Sequence, residues 1–134
     1  MARMADIPDD YRDLLDAQFA TLGTVEPDGQ PQLSEIWFLH DEGEIRLSLN
    51  TSRRKTRNLT ARPRVTMLIL DLANPARYLE IRAHARVDPD DDLVYAHKVH
   101  EKYGADVAAY DQPGDKRVVV TLEPTRIRPV DMSA

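Results

Sequence analysis

Residues 78–87 alternate without a break: Leu79, Ile81, Ala83, Ala85 and Val87 on one side of an extended chain, Glu80, Arg82, His84 and Arg86 on the other. A period of two belongs to a β-strand, because a helix would scatter the same charges around its axis. A strand with one apolar and one charged face needs neighbours along its edges and a core beneath it. The rest of the chain therefore has to supply a sheet.

It does so in short pieces. The run 19–25 leads into Glu26-Pro27-Asp28-Gly29, a proline-then-glycine spacing that suits a tight hairpin turn. The second arm is expected over 32–40. There Leu33, Trp37 and Leu39 share a face with Glu35, and Ile36 and Phe38 share the other with Ser34. Both faces are partly apolar, as in a strand of a closed barrel. After the turn Asp41-Glu42-Gly43, residues 44–50 alternate Ile45, Leu47, Leu49 inward and Arg46, Ser48, Asn50 outward. Residues 65–70 (VTMLIL) read as a buried central strand and 116–130 as the last one.

Three helices interrupt the strands. The first starts near Asp9 or Asp10 and presents Tyr11, Leu14, Leu15 and Gln18 at helical spacing. The second is expected over 53–61, capped by Thr51 or Ser52 and ended with the help of Pro63. The third follows Asp88-Pro89 and the acidic cluster 90–92, whose carboxylates oppose a helix dipole, and runs to Tyr103 with Gly104 as its stop. The expected architecture is mainly β: a single antiparallel barrel domain over residues 1–134, with peripheral helices. Its 134 residues suit one domain, and 42% hydrophobic with 31% charged residues excludes global disorder.

Cysteine is absent, which removes disulfides, thiolate nucleophiles, Cys-type zinc sites and iron–sulfur clusters. No apolar run approaches the roughly eighteen residues of a membrane span, and the N-terminus has no signal-peptide core, so a cytoplasmic chain is expected. The net charge of −5 argues against general nucleic-acid binding. That charge is uneven. Residues 53–64 carry Arg53, Arg54, Lys55, Arg57, Arg62 and Arg64 with no acid among them.

Three of these cations open a helix directly after a strand and a hydroxyl-rich link, Ser48-Leu49-Asn50-Thr51-Ser52. Cations are unfavourable at a helix N-terminus, while its free N–H groups attract anions. A bound phosphate reconciles the two, with arginine as a planar fork, lysine as a point charge and Asn58 one turn on. An exposed basic helix face is the alternative. His97 and His100 have H-x-x-H spacing but no third ligand nearby, so packing or surface roles are expected for them and no metal site. His40 and His84 stand singly on strands. Trp37, the only tryptophan, is either core or the wall of a planar-ligand site. Nucleotide-type glycine motifs are missing.

The hairpin TLGTVEPDGQPQLSEIWF, the strand RLSLN and the segment RRKTRNLTARPRVTMLI together resemble the pyridoxamine 5′-phosphate oxidase-like split β-barrel superfamily. Within it, the chain is most similar to the small flavin- and deazaflavin-dependent reductases. The resemblance covers about residues 14–129 and implies a split, FMN-binding-protein-like β-barrel and a homodimer with cofactor sites at its interface. It also implies that Arg53 and Lys55, with Asn58 nearby and Arg54 as a further candidate, hold the cofactor phosphate. Ser48, Leu49 and Asn50 would run along the ring or ribityl chain. Gln32, Leu33 and Ser34 would border the ring, with Trp37 adjacent. The implied activity is hydride transfer between coenzyme F420, alternatively FMN, and an enone, quinone or tetrapyrrole acceptor. A non-catalytic cofactor carrier is the third possibility. No general acid is identifiable in the sequence; the proton could come from water.

Overall fold

A computed structural model of the chain describes residues 6–109 and 111–133. Among them lie seven strands: β1 Ala20–Val25, β2 Pro31–Ile36, β3 Leu39–Asp41, β4 Glu44–Asn50, β5 Arg64–Leu70, β6 Arg77–Pro89 and β7 Arg117–Asp131. They form one antiparallel sheet in the order β2-β1-β5-β6-β7-β4-β3. The two α-helices among the described residues are α1, Arg54–Ala61, and α2, Val94–Lys102.

β2 and β3 are the two edges of this sheet, yet only Trp37 and Phe38 separate them in sequence. Three Cα steps span at most about 11 Å, so the sheet must curl until its edges almost meet. The result is a split barrel. The expected strand over 32–40 is thus two strands that ladder with opposite ends of the sheet. Periodicity could not reveal the break, because Ile36 and Phe38 stay on the core side on both sides of it (3% and 0% exposed).

The break is held from α2. The Tyr103 hydroxyl accepts from Phe38 N–H (3.0 Å) and donates to Phe38 C=O (3.1 Å), so both main-chain groups that leave the ladder are satisfied. Lys102 Nζ donates to the same carbonyl and to Ala17 C=O, each at 2.8 Å, and lies 4.0 Å from the centroid of the Phe38 ring. Trp37 stacks on Tyr103 with ring centroids 4.3 Å apart and planes 8° off parallel.

The core lies inside the curl. Leu22, Leu47, Met67, Ile69, Leu79, Ile81 and Val120 are fully buried there with Phe38, each stabilising the fold by about 1.5–3 kcal/mol relative to exposure. The inward sets expected for 44–50 and 78–87 are the ones observed. Pro124 is compatible with the long β6–β7 pairing because the register shifts there, leaving Thr125 as a bulge whose hydroxyl donates to Arg82 C=O.

The helices depart from expectation at their starts. The first is a 3-10 helix, Asp9–Asp16, with Pro8 before it and no side-chain cap; Asp9 pairs with Arg12 instead. In α1 neither Thr51 nor Ser52 caps: the Ser52 hydroxyl donates to Asn50 Oδ1 (2.8 Å), and Arg53 is the N-cap residue without a capping side chain. α2 begins after the acidic cluster. Asp88 belongs to β6, and the buried Asp90 carboxylate accepts from the N–H groups of Tyr95 (3.3 Å) and Ala96 (2.8 Å). Gly104, at φ 63°, follows the helix end as expected.

Candidate cofactor site

The outward face of β4 should be wet, since Arg46, Ser48 and Asn50 alternate onto it. Instead α2 and the segment before β7 cover it, and Asn50 is 5% exposed. Between these covers and the start of α1 runs a cleft of about 250 Å³. Its floor is Ser48, Leu49 and Asn50. Arg53 and Lys55 from the start of α1, Val99 and His100 from α2, Arg117 from β7, and Glu35, Ile36 and Trp37 complete the lining.

The Arg53 end is built to receive an anion. Arg53 is exposed and Lys55 half-buried, and neither has a carboxylate or hydrogen-bond partner among the described residues. Burial, reinforced by the neighbouring Arg53 charge, holds the Lys55 ammonium below its ordinary pKa. The first N–H groups of α1 have no side-chain cap. Donors without acceptors and cations without anions thus meet at one place, the condition in which a phosphate is strongly held.

The floor is rigid. Asn50 Nδ2 donates to Asp111 Oδ1 (3.2 Å) and Asp115 Oδ2 (2.7 Å), while Oδ1 accepts from Ser52 N–H and hydroxyl. The amide is fully engaged and ties the segment before β7 over the cleft. Arg117, 8% exposed, holds Asp111 through Nε (3.0 Å to each oxygen) and Nη2 (2.7 Å). Its Nη1 donates to Ser48 C=O at 3.2 Å. The Arg117 guanidinium holds the Asp111 carboxyl below the usual carboxylate range. On α2, His100 Nδ1 lies 2.7 Å from Ala96 C=O, and its ring meets Trp37 edge-on (5.5 Å, 77°).

Six of the residues expected at the site therefore converge: Trp37, Ser48, Leu49, Asn50, Arg53 and Lys55. Five lie elsewhere. Arg54 turns to Glu26 (3.3 Å). Asn58 is 3% exposed and joins α1 to β1, donating to Thr24 Oγ1 (3.1 Å) and accepting from Arg62 Nη2 (3.1 Å). Gln32 accepts from the Thr24 hydroxyl (2.7 Å), and Gln32, Leu33 and Ser34 lie on the edge strand β2, where Leu33 is 68% exposed. Val99, His100 and Arg117 line the cleft without having been singled out as binding residues. An arginine at the start of the apolar run 117–120 was a visible anomaly; His100 was noticed only as half of an H-x-x-H pair. The pair is divided, His97 being exposed and His100 buried.

Comparison with known proteins agrees with this geometry. A structure described as an F420 reductase is 34% identical, with a TM-score of 0.79 over 91% of this chain and 98% of that one. A conserved hypothetical protein from Mycobacterium tuberculosis is 28% identical (TM-score 0.75; 98% and 88% covered). A Listeria innocua protein provisionally assigned as a pyridoxamine 5′-phosphate oxidase is 25% identical (TM-score 0.68; 90% and 95% covered). The pyridoxamine 5′-phosphate oxidase family profile matches residues 7–131, nearly the whole chain. The chain belongs to the pyridoxamine 5′-phosphate oxidase family and has its split β-barrel fold.

Proposed function

We propose that this protein is an F420-dependent oxidoreductase whose cleft holds the deazaflavin against β4. The observation that carries the reading is the Arg53–Lys55 pair, unpartnered among the described residues beside the uncapped start of α1, on a cleft that Trp37 also lines. Similarity to an F420 reductase over almost the full chain supports deazaflavin as the cofactor.

Arg53 and Lys55 would hold the phosphate with the N–H groups of α1. Ser48, Leu49 and Asn50 would support the ribityl chain and ring through the strand backbone, since the Asn50 amide is engaged. Trp37 would border the ring. Bound there, F420 supplies hydride chemistry at its tricyclic ring, and the protein's part is orientation and exclusion of water. The acceptor fitting such chemistry is an electron-poor enone, quinone or tetrapyrrole.

FMN is the second reading, favoured by a specific observation. Among the described residues only two unengaged cations, Arg53 and Lys55, line the cleft, enough for one phosphate with no surplus for an anionic tail. A homodimer suits both readings. The cleft is small for an entire cofactor, and Phe19, Leu33 and Leu72 leave an apolar surface exposed around β1, β2 and β5. A partner covering it would bring Gln32–Ser34 of the edge strand to a ligand.

Titration with F420 and with FMN, followed by quenching of the sole tryptophan, tests the assignment. Micromolar FMN binding with none for F420 refutes the preferred reading. Tight F420 binding with no oxidation of reduced F420 by any of a panel of enones and quinones indicates a carrier instead.

A further inference from the structure

The chain carries four lysines, Lys55, Lys98, Lys102 and Lys116, and the fold places their nitrogens in different company. Lys102 Nζ donates to Ala17 C=O and Phe38 C=O, each at 2.8 Å. Lys98 is exposed, with its Nζ 3.6 Å from the Asp41 carboxylate. Lys116 is exposed ahead of β7. Lys55 alone lines the cleft, half-buried beside Arg53, with no acceptor or carboxylate partner among the described residues. We propose that Lys55 is a modification site, acylated by small acyl phosphates that seat their phosphate on Arg53 and the first N–H groups of α1. The acylation stands on this geometry alone; its effect on cofactor binding rests on the function proposed above.

An amine attacks through its lone pair, so the ammonium must first lose a proton. Burial and the neighbouring Arg53 charge both hold the Lys55 ammonium below its ordinary pKa, which raises the share of free amine. Burial shifts Lys102 in the same direction, but an attack by that nitrogen would abandon two carbonyls that it already satisfies. The second need is an electrophile held in place. An acyl phosphate carries its carbonyl carbon one oxygen away from phosphorus, so anchoring the phosphate on Arg53 presents that carbon to the lysine two residues along the same cleft wall. The cleft, about 250 Å³, has room for a short acyl chain.

In the step, the Lys55 lone pair forms a C–N bond to the acyl carbon, and the C–O bond to phosphate breaks. Phosphate leaves with the bonding pair and takes up the proton that the nitrogen sheds. The products are an amide and inorganic phosphate, and nothing is oxidised or reduced. Lys55 loses its charge, which leaves Arg53 as the sole unengaged cation among the described residues of the cleft. A phosphate-bearing cofactor is then held less tightly, so acylation acts as an off switch on the site.

The experiment incubates the full chain with acetyl phosphate and follows each lysine by peptide mass spectrometry. Lys55 should be acetylated at least about tenfold faster than Lys98 or Lys116, at a rate that saturates in acetyl phosphate and falls when inorganic phosphate is added. An N-hydroxysuccinimide acetate ester, which has no phosphate, is the control: with it the preference for Lys55 should drop severalfold. Arg53→Gln should lower the ratio of the acetyl phosphate rate to the ester rate at Lys55, a ratio in which changes to the amine itself cancel. Equal rates at Lys55, Lys98 and Lys116, or the same preference with both donors, overturns the proposal. Titration of the Lys55-acetylated protein with FMN and with F420 reads the consequence. Affinity should fall by about tenfold or more, and unchanged affinity overturns the off switch. Selective acetylation of a protein that binds neither cofactor upholds the modification and overturns the function proposed above.

Discussion

Replacing Tyr103 by phenylalanine removes one oxygen atom and should cost about 2 kcal/mol. That oxygen accepts from Phe38 N–H at 3.0 Å and donates to Phe38 C=O at 3.1 Å. In Y103F the carbonyl keeps Lys102 Nζ at 2.8 Å, so one group, the N–H, is left without a partner beside a fully buried side chain. An unsatisfied buried donor costs about 1–3 kcal/mol. The stack on Trp37 survives, since phenylalanine retains the ring, so the fluorescence of the folded state should barely move. Urea unfolding followed by far-ultraviolet circular dichroism gives the loss directly, and Y103L, which also removes the ring, should lose at least a further ~0.5–1.5 kcal/mol. The substitution also has a pH signature. Burial raises the Tyr103 pKa above its ordinary value near 10. The stability tied to its neutral form is therefore intact below about pH 10 and is lost as pH rises through the folded-state value. Y103F should abolish that alkaline loss. A destabilisation under ~0.5 kcal/mol, or an unchanged alkaline limb, would refute the view that this hydroxyl holds the split between β2 and β3.

Arg53→Ala with Lys55→Ala should weaken cofactor binding by about 3 kcal/mol, more than a hundredfold, each charge-assisted contact contributing at the lower end of about 1.5–3 because Arg53 is exposed. Isothermal titration with FMN and F420 reads this, and unchanged affinity sinks the phosphate assignment. Asn58→Ala should lower stability by about 1–3 kcal/mol in thermal unfolding, because Thr24 and Arg62 both lose a partner. Cofactor affinity should change less than twofold; a large loss of affinity would return Asn58 to the site. Asp111→Asn should remove an acid-side dependence. Hydrogen bonding to Arg117 lowers the Asp111 pKa, so its contribution is present above the ordinary carboxylate value and disappears as pH falls through the folded-state value. Urea midpoints of wild type and D111N should converge as pH falls below the ordinary carboxylate range, and parallel curves would contradict the pairing.

What was legible in the sequence was whatever a strand's period records. Leu79–Val87 and Ile45–Leu49 alternate because one side faces a core, and no distant residue is needed to see it. Gly104 and the Glu26–Gly29 turn are equally local. The division of 32–40 into two edge strands was hidden because Ile36 and Phe38 keep one phase across it. Its cause lies in Lys102 and Tyr103, more than sixty residues away. The site divides in the same way. Ser48–Lys55 is one contiguous stretch and reads as a unit. Arg117 and His100 reach it only after β7 pairs with β4 and α2 packs on that strand. Asn58 misled for a physical reason: an amide one turn along a basic helix looks available for a ligand, and only the fold reveals Thr24 and Arg62 on either side of it.

The basic segment finally separates contact from field, and the two make different demands on the cofactor. Of its six cations only Arg54 has an acidic partner among the described residues, Glu26. Arg57 donates to Ser52 C=O and Arg62 to Val25 C=O, contacts that fix the side chains without cancelling their charge. The cleft thus offers two cations for direct contact, while Arg57, Arg62 and Arg64 of the same segment keep their charge uncancelled by any acid among the described residues. A phosphate alone needs the first. An oligoglutamate tail, as on F420, would feel the second through solvent, where attraction fades over about 8–10 Å at ordinary salt. F420 affinity should then fall more steeply with salt than FMN affinity does, the ratio between them shrinking severalfold from 20 to 300 mM. Arg57→Gln with Arg64→Gln should flatten the F420 slope and leave that of FMN unchanged. Equal slopes for the two ligands would mean that the surrounding charge plays no part in choosing between them.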